Sequence, residues 1–101
     1  MVVVPYAYYI VQKGLAKENA SILYRRPTLE FMEEQGFPIV VESARHHIRE
    51  EIERWCNERF TEDIIVFVDA LDYFNSGEYD SNHRWYFRNR NDAMLFKLKW
   101  R

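Results

Sequence analysis

Apolar residues fall into several short unbroken runs and one long periodic stretch. Residues 1–11 are apolar on both alternating sets of positions, Val2, Val4, Tyr6, Tyr8 and Ile10 on one side and Val3, Pro5, Ala7, Tyr9 and Val11 on the other. Such a run, rich in β-branched and aromatic residues, predicts a buried strand, and Pro5, which lacks a ladder donor, places it at an edge or a bulge. Residues 12–19 are polar and hold Gly14, a connection. Residues 21–26, with Ile22 and Tyr24 on one face, predict a second short strand that would pair with the first as a hairpin.

Pro27 and Thr28 open a short helix with Thr28 as N-cap, Leu29 and Met32 facing inward, and Glu30, Glu33 and Glu34 facing water. Gly36 ends it, because glycine accepts the left-handed conformation and Pro38 cannot continue a helix. A nearly all-apolar strand follows at 38–42. Ser43 then caps a helix over 44–60, in which Ala44, Ile48, Ile52, Trp55, Cys56 and Phe60 recur at steps of three and four and form one apolar stripe. Its outer face pairs opposite charges four residues apart, Arg49 with Glu53, Glu50 with Arg54 and Arg54 with Glu58, which reads as a solvated helix face.

Residues 61–63 make a turn, 64–68 form an apolar strand of the kind buried on both faces, and 75–82, containing Ser76 and Gly77, form a loop. A strand at 85–88 precedes a final helix capped by Asn91, with Ala93, Leu95, Phe96, Leu98 and Trp100 as its apolar positions. From residue 38 the order is strand, helix, strand, strand, helix. That predicts an α+β fold, an antiparallel sheet with helices packed on one face, ferredoxin-like but lacking the sixth element. The N-terminal strand or hairpin extends this sheet and could fill the vacancy. It could equally pair with the edge of another copy, giving a homodimer.

Composition narrows the class. The 101 residues suit one domain, residues 1–101. With 48% hydrophobic and 17% aromatic residues, three Gly and three Pro, a packed core is expected and disorder or collagen-like repetition is excluded. Cys56 is the single cysteine, which excludes a disulfide-stapled scaffold and fits a reducing compartment. The apolar run at the N-terminus is too short to span a bilayer and has no basic lead or cleavage pattern, so a cytoplasmic protein with no membrane partner is expected.

Net charge is only −2, but it is unevenly spread: −1 over residues 1–43, 0 over 44–60, −6 over 61–80 and +5 over 81–101. Glu62, Asp63, Asp69, Asp72, Glu78 and Asp80 have no Lys or Arg among them. Such a cluster can steer and bind a basic protein surface; the alternative is that it faces Arg84, Arg88, Arg90, Lys97, Lys99 and Arg101 within the fold. A second candidate is the strand where Trp85 and Tyr86 interleave with Arg84, Arg88 and Arg90, the mixture that single-stranded nucleic-acid platforms use; here the alternative places the aromatics in the core and the arginines at its rim. His46 with Glu50, or His47 with Glu51, lie one helical turn apart, but no full metal-ligand set accompanies them, and exposed histidines are the simpler reading. Asp69 and Asp72 after an apolar strand would suit a magnesium-dependent nuclease, a third reading. No phosphate-cradling glycine loop or nucleophile elbow is present, and no cofactor is expected.

Two resemblances bear on function. Phe87, Arg88 and Asn89 leading into Asn91, Asp92 and Ala93 resemble the third strand and second helix of the RNA recognition motif, without the glycines that family places in the strand. The ending from Arg88 to Trp100, an aromatic strand followed by an Asp-Ala helix closing on Phe-Lys-Leu-Lys-Trp, resembles the tails of small accessory proteins of tailed bacteriophages. That resemblance implies a protein of a bacterial host's cytoplasm, in a group that includes anti-CRISPR proteins and other host inhibitors. The expectation is therefore a non-enzymatic protein that binds a host partner through its acidic segment.

Overall fold

The computed structural model describes residues 2–16, 20–23, 25–42, 49–68 and 83–100. Four strands and four helices are defined there: β1 (Val3–Pro5), α1 (Tyr6–Gln12), α2 (Leu29–Glu34), β2 (Ile39–Glu42), α3 (Arg49–Arg59), β3 (Ile64–Val68), β4 (His83–Phe87) and α4 (Arg90–Lys99), with a 3₁₀ turn at Ala20–Leu23. The fold is α+β. Its strands form one mixed sheet in the order β1-β3-β4-β2, with β1 parallel to β3 and both β3 and β2 antiparallel to β4.

The alternation of side chains across this sheet builds two cores. Ile64, Val66, Trp85, Phe87 and Val41 point to one face, where they meet Ile52, Cys56 and Phe60 of the α3 region and Ala93, Phe96 and Trp100 of the α4 region. Ile65, Phe67 and Tyr86 point to the other, where they meet Tyr6 and Ile10 of α1, Met32 of α2 and Phe37. A sheet covered on both sides needs central strands that are apolar at every position. β3 is of that kind, buried from Ile64 through Phe67, and so is the second part of β4, Trp85 through Phe87, while its first residues His83 and Arg84 are half-buried. The first core is rich in aromatics, with edge-to-face contacts from Trp55 to Trp100 at 6.0 Å and from Phe87 to Phe96 at 5.1 Å between ring centroids.

Several expectations are corrected. Helices cover both faces of the sheet rather than one, and the sheet is mixed rather than antiparallel. β4 lies between β2 and β3 and so splits the β2-α3-β3 unit, but β1 joins the β3 edge, opposite the vacancy beside β2. Pairing runs Val3 with Ile64, Val4 with Ile65 and Pro5 with Val66. Asn57 of α3 holds this strand: its Oδ1 accepts from the Val2 and Val3 N–H groups at 2.8 and 3.2 Å. The strand read over residues 1–11 breaks after Pro5 into a helix, in which Tyr6 and Ile10 are buried four apart while Tyr8 and Val11 are exposed. An apolar run of this length fits either period, and the second core selects the helical one. The second strand of the expected hairpin is instead the 3₁₀ turn, with Ile22 and Leu23 packed against the second core.

Helix ends obey local chemistry. Thr28 Oγ1 accepts from Phe31 N–H at 3.0 Å, and Gly36, at φ +89°, closes α2 with N–H bonds from Gly36 to Glu33 O and from Phe37 to Met32 O. Gly14, at φ +69°, ends α1 with the same pair of bonds, Gly14 to Val11 and Leu15 to Ile10. Met32 is buried as expected, but Leu29 is 62% exposed, and the half-buried Phe31 packs inward instead. The cap of α4 is Asn89 rather than Asn91. Asn89 Oδ1 accepts from Asp92 N–H at 2.9 Å, and its Nδ2 donates to Asp92 Oδ2 at 3.0 Å, so the helix begins two residues earlier. Ser43, Ala44, His46, His47 and Ile48 lie outside the described residues.

Candidate functional site

The turn between α3 and β3 carries the described part of the acidic cluster. Glu62 and Asp63 are exposed there, immediately before the buried Ile64. Asp69, Asp72, Glu78 and Asp80 lie outside the described residues.

The placement of the basic groups bears on where the acids find their countercharge. Arg84 is turned toward β2, with Nη2 at 2.9 Å and Nε at 3.1 Å from Glu42 Oε1, and Glu42 is its directly opposed partner in the ladder. Arg88 lies over the Phe37 ring, its guanidinium carbon 4.1 Å from the centroid. Lys99 lies 5.4 Å from the Trp100 ring centroid. Arg90 and Lys97 are exposed on α4, and no carboxylate of the described residues pairs with them. Arg101 lies outside the described residues.

The aromatic strand is core. Trp85, Tyr86 and Phe87 are 0%, 1% and 0% exposed, so neither Trp85 nor Tyr86 has a ring face open to a nucleobase. The rings are placed as the core alternative had them, and the reason is topological: β4 is an interior strand whose two faces meet two different cores. Trp85 stacks on His83 at 6.5 Å and meets Phe96 at a tilt at 5.4 Å, and its Nε1 is buried without a hydrogen-bond partner among the described residues. The Tyr86 hydroxyl is pushed above its ordinary pKa, chiefly by burial, with Arg84 and Arg26 pulling the other way. Tyr6, on the same face, is also raised, first by burial and then by Tyr86.

Shallow clefts open on the described surface. One, about 200 Å³, lies beside Pro5, Tyr6 and the end of β3, with Arg49 at its rim. Arg49 Nε donates to Glu53 Oε1 at 2.7 Å, the one i,i+4 pair of the three expected that closes. A second, about 240 Å³, has Tyr6, Ile22 and Phe31 as its floor and Arg25 and Arg26 at its rim. The third, about 450 Å³, runs along Val40, Val41 and Glu42 of β2 beside Lys97 and Trp100. Cys56 lines none of them: it is fully buried, and burial, with Glu53 nearby, pushes its thiol up to about 12, which leaves it protonated and unreactive. Among the described residues no group of three His, Cys, Asp or Glu side chains could hold a metal ion. Among them, too, no helix is long and apolar enough to cross a membrane. No protein-family model matches the chain, and no curated protein or solved structure matches it either.

Proposed function

We propose that this chain is a non-enzymatic binding protein whose acidic segment, Glu62 to Asp80, engages a basic surface on a partner protein in a bacterial cytoplasm. The partner would be a host protein of defence or nucleic-acid handling, as the phage-type ending of the chain implies. The observation that supports the reading is the placement of countercharge. Six acids occur in this segment with no Lys or Arg between them, while Arg84 is spent on Glu42 and Arg88 on Phe37. Arg59, the last cation before the segment, lies over the Trp55 ring, and Glu62 and Asp63 face solvent. An uncompensated acidic surface gives long-range attraction to a basic partner and competes with that partner's anionic ligands.

The test is a tagged pull-down from bacterial lysate at moderate salt, with the eluate weighed by native mass spectrometry. A stoichiometric protein partner is expected, released as salt rises, because exposed charges are screened over about 8 Å at physiological ionic strength. Replacing Asp69, Asp72, Glu78 and Asp80 together by Lys should abolish capture without lowering the unfolding midpoint. Equal capture by this variant would overturn the proposal.

A further inference from the structure

The last helix is apolar on two opposite sides. α4 turns by roughly 100° per residue, so Ala93, Phe96 and Trp100 fall on one line, and that line enters the aromatic core. Met94, Leu95 and Leu98 fall on the opposite line, where they are 56%, 52% and 70% exposed. A helix packed on one side of a small protein ordinarily turns polar residues outward. Single exposed apolar residues need no explanation, but three large ones adjacent on one helix form a patch.

The rim of this patch is cationic. Arg90 and Lys97 flank it on one side and Lys99 on the other, and none of them pairs with a carboxylate of the described residues. Asp92, the one acid of the helix, is held by the Asn89 cap. From this arrangement we infer that the outer ridge of α4 is a docking surface for an acidic amphipathic helix of a partner protein. Its apolar stripe covers Met94, Leu95 and Leu98, and its carboxylates meet Arg90, Lys97 and Lys99. Charge selects this occupant. A second copy offering the same ridge would set cations against cations, and a basic partner would be repelled in the same way. The ridge residues stand at steps of one, three and four, the spacing by which one helix packs on another. A lipid surface is less suited, since membrane-surface helices bury a larger apolar face than three side chains supply. This surface shares no residue with the acidic segment, so either proposal can fail without the other.

The test uses the full chain and a synthetic helical peptide carrying a leucine stripe flanked by glutamates, titrated by calorimetry. Saturable binding that weakens with salt is expected, reduced about tenfold or more by Leu98→Ser and again by Lys97→Glu with Arg90→Glu. Leu98 is mostly exposed, so its variant should keep the wild-type unfolding midpoint; the charge variants carry the same test should it not. The inference is overturned if Leu98→Ser binds the peptide as tightly as wild type, or if a peptide with lysines in place of the glutamates binds equally well. It is overturned too if the ridge instead mediates self-association, or binds phosphatidylcholine–phosphatidylglycerol vesicles while ignoring the peptide.

Discussion

Asn57 does what no other described side chain does, joining the helix α3 to the edge strand β1 through two backbone N–H groups. Asn57→Ala leaves both donors without that acceptor and should lower stability by about 1 kcal/mol, read as a shift in urea midpoint. Gly36 is constrained twice over. At φ +89° a side chain is strained, and a Cβ would lie 2.8 Å from Arg88 Nη1. Gly36→Ala should therefore cost about 1 kcal/mol or more in the same assay, even though Arg88 can swing aside. Cys56 should resist alkylation in the native protein at pH 8 and react only on unfolding, since burial holds its thiol protonated. Rapid labelling under native conditions would contradict its placement in the core.

At the level of elements, the caps make the sharpest comparison. Asn89 and Asn91 both stand near the start of α4, and either satisfies the residue preference for a cap. Only Asn89 has the extended backbone, φ −131° and ψ 156°, and the hydrogen bond to Asp92 N–H. Asn89→Ala should cost roughly 1 kcal/mol, while the exposed Asn91 should tolerate alanine within about 0.5 kcal/mol; the reverse ranking in urea unfolding would move the helix start. The same discrimination explains the N-terminal run. Residues 2–11 offer apolar positions at both periods, and β-branched and aromatic content favours a strand, yet only Val3–Pro5 pairs with β3. Pro5, with φ fixed at −61°, ends the strand and leads directly into α1, where Tyr6, Tyr9 and Ile10 close over Phe37 and Phe67.

For the whole molecule, pH dependence follows from the buried weak acids. Cys56, Tyr6, Tyr9 and Tyr86 all titrate higher in the folded chain than their ordinary values, burial being the first cause in each case. A group whose folded pKa is raised binds its proton more tightly in the native state. Its stabilising contribution is thus complete below the unfolded pKa and is lost as pH climbs toward the folded value. For Cys56 that window opens near 9.0 and extends to about 12. Urea stability should accordingly be insensitive to these groups through neutral pH and fall progressively above pH 9. A rise in stability across that interval would contradict the burial of these groups. The charge map acts at the same scale, since only the whole fold places Arg84 against Glu42 and leaves Glu62 and Asp63 facing water.

What the amino-acid sequence by itself determined were the features whose physics is local. Thr28 as a cap, Gly36 as a helix stop, the described part of the apolar stripe, with Ile52, Cys56 and Phe60 buried and Trp55 half-buried, and the strand Ile64–Val68, buried through Phe67, depend on a few neighbouring residues, and the structure places them as read. The α+β class followed from their order. Tertiary structure decided what required long-range choice. Which edge β1 joins, and whether helices cover one face or two, depend on pairings between segments some sixty residues apart, such as Val3 with Ile64. Which side of an aromatic strand is buried depends on what lies across it, and for Trp85 and Tyr86 both sides were covered. The same holds for α4. Read from sequence, its apolar positions are Ala93, Leu95, Phe96, Leu98 and Trp100 together, with Met94 left out; packing divided them into Ala93, Phe96 and Trp100 inside and Leu95 and Leu98 outside beside Met94, because a helix touches the sheet along one line and leaves the opposite line to solvent or to a partner.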